Sequence, residues 1–349
     1  MIWLNMKILF IINSLKSKSG SERVAVELAN KMAAIGGYNI TLLNRESIKE
    51  NTAYPIADNV EVIALSGSLF EFYKKLKKHI SSNNYDVVVV HNMGKLSLLC
   101  AFVPNIKKLV VLEHVSFISR PKKIQILSKF LYRNIDQVVT LTQNDKEQFD
   151  KFHSNVIVIP NFSPFSIASQ PQNNGKQIVT IGRLTDQKNY IHLLQAWKKI
   201  YQSIPDWQLN IYGEGEQEEI LQDYIKQQSL KNVSLKGSTS NVKEVYEQSS
   251  FFVMSSKYEG LPMVLIEAQS FGLPIVSYNC PYGPSDVIRD SKNGFLVEDQ
   301  NVDELAAAVL KVALSPQLLE QFSQSSLLNA KKYQPEQILK IWIEKVLEG

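Results

Sequence analysis

Two rhythms alternate along this chain. Short apolar runs such as KILFII, NITLL, DVVVV, KLVVL and QVVTL are separated by longer stretches in which apolar positions recur every three or four residues. The first pattern suits strands buried on both faces, and the second suits helices with one covered side. Strands are expected at 6–12, in NITLL, VEVIAL, DVVVV, KLVVL and QVVTL, and in VIVIPN at 156–161, with helices near 22–35, 70–79 and 122–133. The segment 163–176, SPFSIASQPQNNGK, is crowded with Ser, Pro, Asn and Gln and reads as a linker. The alternation then restarts with strands in KQIVTIG, WQLNIYG, NVSLKG, FFVMS and PIVSY and helices near 190–201, 217–228, 242–248 and 262–271. Helices near 302–314, 317–328 and 335–347 complete the chain, and no short repeat period is present. Near-continuous strands separated by helices predict parallel sheets covered on both faces. The expected fold class is therefore α/β, with two doubly wound domains at 1–165 and 166–334 and a last helix, 335–349, folded back over the first. In such folds ligands sit beyond the carboxyl ends of the strands. With two domains, the natural site is the cleft between them.

The length of 349 residues agrees with two domains. An apolar fraction of 44% with 21% charged residues excludes disordered and collagen-like chains. Cys100 and Cys280 are the only cysteines and have no metal-ligand spacing. They are expected to be buried, reduced thiols of a cytoplasmic protein. No apolar run is long enough to span a bilayer. The opening MIWLNMKILFIIN is read as a buried strand rather than a signal peptide, because Lys7 interrupts it and no small-x-small cleavage site follows. Charge is unevenly spread. Residues 1–165 hold 21 Lys and Arg against 13 Asp and Glu, whereas residues 166–349 hold 17 against 21. A basic first half beside an acidic second half points to an anionic partner for the first.

Four motifs could carry chemistry. Ser19-Gly20-Ser21-Glu22-Arg23 follows the first strand, where Gly20 allows close backbone approach and the next helix offers N–H groups to an anion; a plain N-cap at Ser21 is the alternative. Gly182-Arg183, with Lys188 five residues after the arginine, places a guanidinium fork and a point charge at a helix start, a geometry suited to a diphosphate. Tyr212-Gly213-Glu214-Gly215-Glu216 has G-x-G but no third glycine, and its acidic residues would repel a pyrophosphate, so a dinucleotide fingerprint is unsupported. It is read as a tight turn from strand to helix. The fourth motif, Ser256-Lys257-Tyr258-Glu259-Gly260-Leu261-Pro262, continues to Glu267. Pro262 suits the first turn of a helix, which leaves Glu259 in the preceding loop and Glu267 within an apolar helix. There a carboxylate needs a partner, a ribose diol or a structural cation. Gly260 and Leu261 offer backbone N–H groups to phosphate oxygens. His91 and His114 stand at strand ends, with His114 the stronger functional candidate. No Asp-x-Asp pair or other divalent-metal cluster is evident.

In this order the four motifs resemble those of the family-4 glycosyltransferases of the GT-B fold, over nearly the whole chain. The resemblance implies two Rossmann-like domains and retaining, metal-independent sugar transfer from a nucleotide diphosphate, UDP by family frequency. It implies that Arg183 and Lys188 grip the diphosphate, that Gly182 belongs to the same turn, and that Glu267 binds the ribose. Glu259 would touch the donor sugar, with Gly260 and Leu261 near it by backbone. The base would lie near Gly237–Val242. Gly20 would approach the diphosphate, and His114 would stand near the donor sugar. Many relatives carry Gly-Gly where this chain has Ser19-Gly20. The segment 279–286, NCPYGPSD, resembles bacterial members that build capsule, O-antigen or related glycans on a lipid carrier.

A polyprenyl-pyrophosphate-linked or other glycan acceptor is accordingly expected, with peripheral contact at the inner face of an anionic membrane. Lys74, Lys75, Lys77, Lys78, Arg120, Lys122 and Lys123 are the candidate surface. Nucleic acid is not expected, because no recognised motif is present and aromatics do not interleave with these cations. A nucleotide-sugar epimerase and a non-catalytic partner of another transferase are the rival functions. The oxidoreductase class is disfavoured by the missing fingerprint.

Overall fold

The computed structural model describes residues 5–16, 20–46, 52–92, 94–171 and 175–349. The chain forms two compact units, residues 1–161 with 338–349, and residues 162–337. The division falls four residues before the expected 165/166 boundary. Among the described residues no helix is long and apolar enough to cross a membrane.

The first unit carries a seven-stranded parallel sheet. Its strands are β1 (Met6–Ile11), β2 (Tyr38–Asn44), β3 (Glu61–Ala64), β4 (Val87–Asn92), β5 (Leu109–Glu113), β6 (Gln137–Thr140) and β7 (Val156–Val158), in the order β3-β2-β1-β4-β5-β6-β7. The helices are α1 (Gly20–Ile35), α2 (Leu69–Asn83), α3 (Leu96–Cys100), α4 (Lys122–Leu131) and α5 (Gln143–Phe149). Local chemistry fixes their ends. Ser68 caps α2 in a reciprocal pair with Glu71, the Ser68 hydroxyl accepting from Glu71 N–H and the Glu71 carboxylate from Ser68 N–H. Leu9, Ile11, Val88, Val90 and Val111 of the strands pack against Phe72, Leu76, Cys100, Tyr132 and Phe149. The C-terminal segment closes on this unit. Gln137 Nε2 donates to the Lys345 carbonyl and Lys108 Nζ to that of Gly349.

The second unit repeats the plan with β8 (Gln177–Ile181), β9 (Gln208–Tyr212), β10 (Val233–Leu235), β11 (Phe251–Met254), β12 (Ile275–Tyr278) and β13 (Gly294–Val297), all parallel in the order β10-β9-β8-β11-β12-β13. Around it run α6 (Tyr190–Ile200), α7 (Glu218–Gln227), α8 (Val242–Glu247), α9 (Met263–Ser270), α10 (Pro284–Val287), α11 (Val302–Leu314) and α12 (Pro316–Ala330). The last helix, α13 (Pro335–Trp342), continues as a π-helical turn over Ile343–Leu347. Trp197, Trp207, Phe251 and Phe322 are among the large side chains of this core. Cys100 and Cys280 are free and buried, and burial pushes each thiol up to about 12.

Candidate active site

In the second unit the chain reverses direction across the sheet at β8, with β9 on one side and β11 on the other. Loops leaving two such strands diverge and leave a crevice at their carboxyl ends. The two most charged motifs of the sequence occupy this place. The loop after β8 carries Arg183 and Lys188, the latter ending a 3-10 turn over Asp186–Lys188, and the loop after β11 carries Glu259. Hydrogen bonds to backbone carbonyls tie them together. Lys257 N–H donates to the Gln187 carbonyl at 2.8 Å, Gln187 Nε2 to the Tyr258 carbonyl at 2.9 Å and Ser255 Oγ to the Lys188 carbonyl at 3.0 Å. Across this seam Lys188 Nζ stands 2.6 Å from Glu259 Oε1, with side chains 20% and 8% exposed. Shielded in this way, the pair attracts more strongly than it would in water. A second pair, Lys257 with Asp186 at 2.6 Å, lies open to solvent and contributes little. Arg183 is exposed and has no ion-pair partner among the described residues.

The turns after β9 and β10 pack beside this seam. Gly182 N–H donates to the Tyr212 carbonyl, Leu184 N–H to that of Glu214 and Gly213 N–H to that of Gly237. Gly213 has φ +141°, and a Cβ there would fall 1.9 Å from the Gly182 oxygen, so the approach requires glycine. Glu214 accepts from Ser238 Oγ at 2.5 Å, which joins the acidic turn to the loop 236–241. Val242 opens α8 behind Asn241, whose side chain accepts from Glu244 N–H. Gly182, Arg183, Lys188, Glu259, Gly237 and Val242 therefore all lie on loops or helix starts following the carboxyl ends of strands in one sheet.

Pro262 stands at the N-cap of α9, one residue before the helix rather than in its first turn. Gly260 and Leu261 precede it in the loop, and Glu267 lies within α9 at 6% exposure. Tyr246 Oη on α8 donates to Glu267 Oε2 at 3.1 Å. Neither Tyr246 nor Tyr190 was evident from the sequence. Tyr190 opens α6 and is buried with its hydroxyl beneath Gly182, where an added Cβ would meet it at 2.8 Å. Nothing in the local sequence around either tyrosine marks it as a site residue, because each is placed by its packing, Tyr190 under Gly182 and Tyr246 against Glu267 of α9.

In the first unit α1 begins at Gly20 itself, so Ser21 belongs to the first turn and is not the cap. Ser19 lies outside the described residues. His114 follows β5 directly, and its Nε2 is 3.0 Å from Nδ1 of His91 near the end of β4. The rings stack at 5.2 Å. One hydrogen serves both nitrogens, one ring donating and the other accepting, so the two rings cannot both be protonated at the facing atoms. Burial lowers His114 to about 4, and burial, then the neighbouring His114, lowers His91 well below its ordinary value. Glu113, one residue earlier, pairs with Arg120 and accepts from Tyr132 Oη in a fully buried cluster. Arg120, expected on the basic surface, is thus an interior residue. Burial, the largest single influence, would lower its pKa, but Glu113, Tyr132 and Asp145 together overcome this and raise it.

Comparison with known proteins follows the same two units. The description "Glycosyltransferase Family 4" matches residues 18–163, and "Glycosyl transferases group 1" matches residues 163–327. The chain is 32% identical to the amylovoran biosynthesis glycosyltransferase AmsD of Erwinia amylovora, over 96% of this chain and 98% of that one. It is 26% identical, over 98% and 99%, to a Campylobacter jejuni α-1,4-N-acetyl-D-galactosaminyltransferase whose name gives an undecaprenol-diphosphate-linked GalNAc saccharide. Among solved structures, Anabaena Alr3699/HepE in complex with UDP superposes with a TM-score of 0.83 at 18% identity, covering 99% of this chain and all of that one. The lipopolysaccharide outer core galactosyltransferase WaaB does so with a TM-score of 0.81 at 18% identity, covering 98% and 99%.

Proposed function

We propose, from the premise that this chain belongs to the family-4 glycosyltransferases, that it moves a sugar from a UDP-sugar to a growing bacterial surface glycan with retention of configuration. The enzyme is a glycosyltransferase of the GT-B fold. The single observation that supports the donor assignment is the joining of the Arg183–Lys188 loop to the Glu259 loop at the sheet's switch point. In the proposed reaction Arg183 and Lys188 neutralise the leaving diphosphate while the sugar gains oxocarbenium character. Lys188 is matched to Glu259 in an ion pair. An incoming diphosphate exchanges one anion for another at Lys188 and frees the Glu259 carboxylate for the sugar hydroxyls. Glu267, held by Tyr246, accepts from the ribose hydroxyls, and the base rests near Gly237 and Val242. Gly260 and Leu261 give backbone N–H groups to the donor. Gly20 and His114 are the first unit's candidates for the diphosphate and the donor sugar. The acceptor hydroxyl attacks the anomeric carbon on the face from which UDP departs, and its proton passes to a phosphate oxygen of the leaving group.

The acceptor in this reading is a glycan on a polyprenyl diphosphate, a class supported by the undecaprenol-linked saccharide in the name of the Campylobacter jejuni relative, and it is met at the inner face of the cell membrane. Side-chain cations and backbone dipoles carry the charge stabilisation, so no divalent metal is required. The test is a panel of UDP- and GDP-sugars with and without EDTA, reading released nucleotide and recovered sugar by mass and NMR. Release of UDP from one donor, unchanged by EDTA, is expected. GDP release, dependence on a divalent ion, or return of an isomerised sugar would each overturn a named part of this reading.

A further inference from the structure

Helix α4 covers little with its apolar residues: Ile124 and Leu131 are partly buried against the core, and the one fully buried residue of the helix is the polar Ser128. Ser128 and, one turn on, Tyr132 point inward to Arg120 and Glu113. Its outer side is apolar. Ile126, Leu127 and Phe130 are 57, 46 and 60% exposed, and Ile118 in the preceding loop is 54% exposed. A surface helix ordinarily carries polar and charged residues on its outer face. Single exposed apolar side chains need no explanation, but a cluster of this size on one helix does.

Helical spacing shows how the cluster is framed. Residues 126, 127 and 130 share one side of the helix with Lys122 and Lys123 a turn before and Arg133 a turn after. Lys129 is exposed beside them. The Arg133 guanidinium lies 5.8 Å from the Phe130 ring centroid. Between His114 and Ile135 the sequence has no Asp or Glu. The same kind of surface continues nearby. Phe102 is 57% exposed, its carbonyl accepts from Tyr73 of α2, and α2 bears Lys74 over the exposed Phe70 ring at 4.3 Å.

We propose that this face docks the protein on an anionic lipid bilayer. Ile126, Leu127 and Phe130 enter the boundary between headgroups and acyl chains, and Lys122, Lys123, Lys129 and Arg133 meet lipid phosphates. Charge selects this occupant. The cations flank the apolar side chains at both ends of the helix and no carboxylate interrupts them, a complement to a sheet of phosphates. A second copy packed through the same face would set like charges against one another. The proposal rests on the reading of a lipid-linked acceptor, since that gives the enzyme a reason to sit at the bilayer, but its test needs no turnover. It moves the contact from lysines alone to an apolar wedge with a basic rim.

The full chain is sedimented with vesicles of phosphatidylcholine and with vesicles in which a third of that lipid is replaced by phosphatidylglycerol. Preferential binding to the anionic vesicles is expected, with a residue of binding that survives high salt. The triple variant Ile126→Ser, Leu127→Ser, Phe130→Ser should lose that salt-resistant part and bind about tenfold less. Lys122→Gln with Lys123→Gln should weaken binding mainly at low salt. Parental binding by the triple variant, equal binding to both vesicle types, or a parental dimer that the triple variant dissolves would each overturn the proposal. Unchanged UDP-sugar cleavage by the variants shows that they fold. A parent that binds vesicles but cleaves no donor would sink the transferase reading and leave this one standing.

Discussion

Replacement of Gly213 by alanine tests whether the close stacking of two turns sets the position of Arg183. The added Cβ would fall 1.9 Å from the carbonyl oxygen of Gly182, whereas ordinary contact begins at about 3.4 Å. The two turns must therefore separate by about 1.5 Å, and the atom in the way is backbone, which cannot swing aside. The φ of +141° adds strain for any side chain. Overpacking of this kind costs roughly 1–3 kcal/mol and a disfavoured backbone conformation about another 1–2. For a unit of this size that lowers Tm by roughly 5–15 °C. Turnover should fall further than stability suggests, because a misplacement of about 1 Å in a reacting group costs on the order of 10²-fold. Scanning calorimetry gives the first number, and UDP release at saturating donor below the variant's Tm gives the second. The control is Gly237→Ala. Its φ is +67°, but a Cβ there meets nothing within 4 Å. It should show the backbone cost, about 1–2 kcal/mol, without the displacement of Arg183. A Gly213→Ala protein with parental Tm and parental turnover would refute the reasoning.

Lys188→Met should reduce donor turnover by about 10²–10³ if Lys188 faces the leaving diphosphate, and a parental initial rate would sink that role. Arg120→Met removes the partner of a buried carboxylate and should destabilise the protein by about 3–5 kcal/mol in urea unfolding. The double variant with Glu113→Gln should recover much of that loss; no recovery would mean that Arg120 acts through packing against Phe117 and Phe149, its ring neighbours. The histidine pair makes stability depend on pH. Both imidazoles are held below the ordinary 6.5, His114 at about 4. Between those values the unfolded chain binds protons that the folded chain refuses. Stability present above pH 6.5 is therefore lost as pH falls toward 4, at up to about 1.4 kcal/mol per pH unit for each histidine. Urea midpoints measured across that window should show a shallower decline in His114→Gln than in the parent, and equal slopes would exclude the pair as the cause.

The fold was legible wherever a strand was buried on both faces. DVVVV and KLVVL need no partner to be recognised, because after one leading charge each is a run of four apolar residues, and both became interior strands. The long helices were equally plain, and α11 runs over Val302–Leu314 as expected. The elements that escaped are short and borrow their stability from the rest of the molecule. Helix α3 is five residues of LSLLC, α10 is four residues after Gly283, and β13 is an edge strand of four residues, GFLV, too brief to show a period. Such segments fold because the sheet beside them is already present, and local pattern carries no trace of that.

The site divides along the same line. Arg183, Lys188, Glu259 and Glu267 could be named from charge placed at a strand end or within an apolar helix, which is a local property. Their partners could not. Lys188 meets Glu259 across 71 positions, and Glu267 meets Tyr246 across 21. The first of these meetings follows from strand order. Because β9 and β10 are laid to one side of β8, the next strand that can flank its other side is β11, so the loop bearing Glu259 must leave the sheet beside the loop bearing Lys188. Arg120 marks the opposite failure. Its neighbours Lys122 and Lys123 are exposed, and run together the three looked like one basic surface. What draws the arginine inward is Glu113 at the end of β5, a carboxylate that burial would penalise unless a cation came with it. Seven residues separate the two, and only the turn between β5 and α4 brings them face to face.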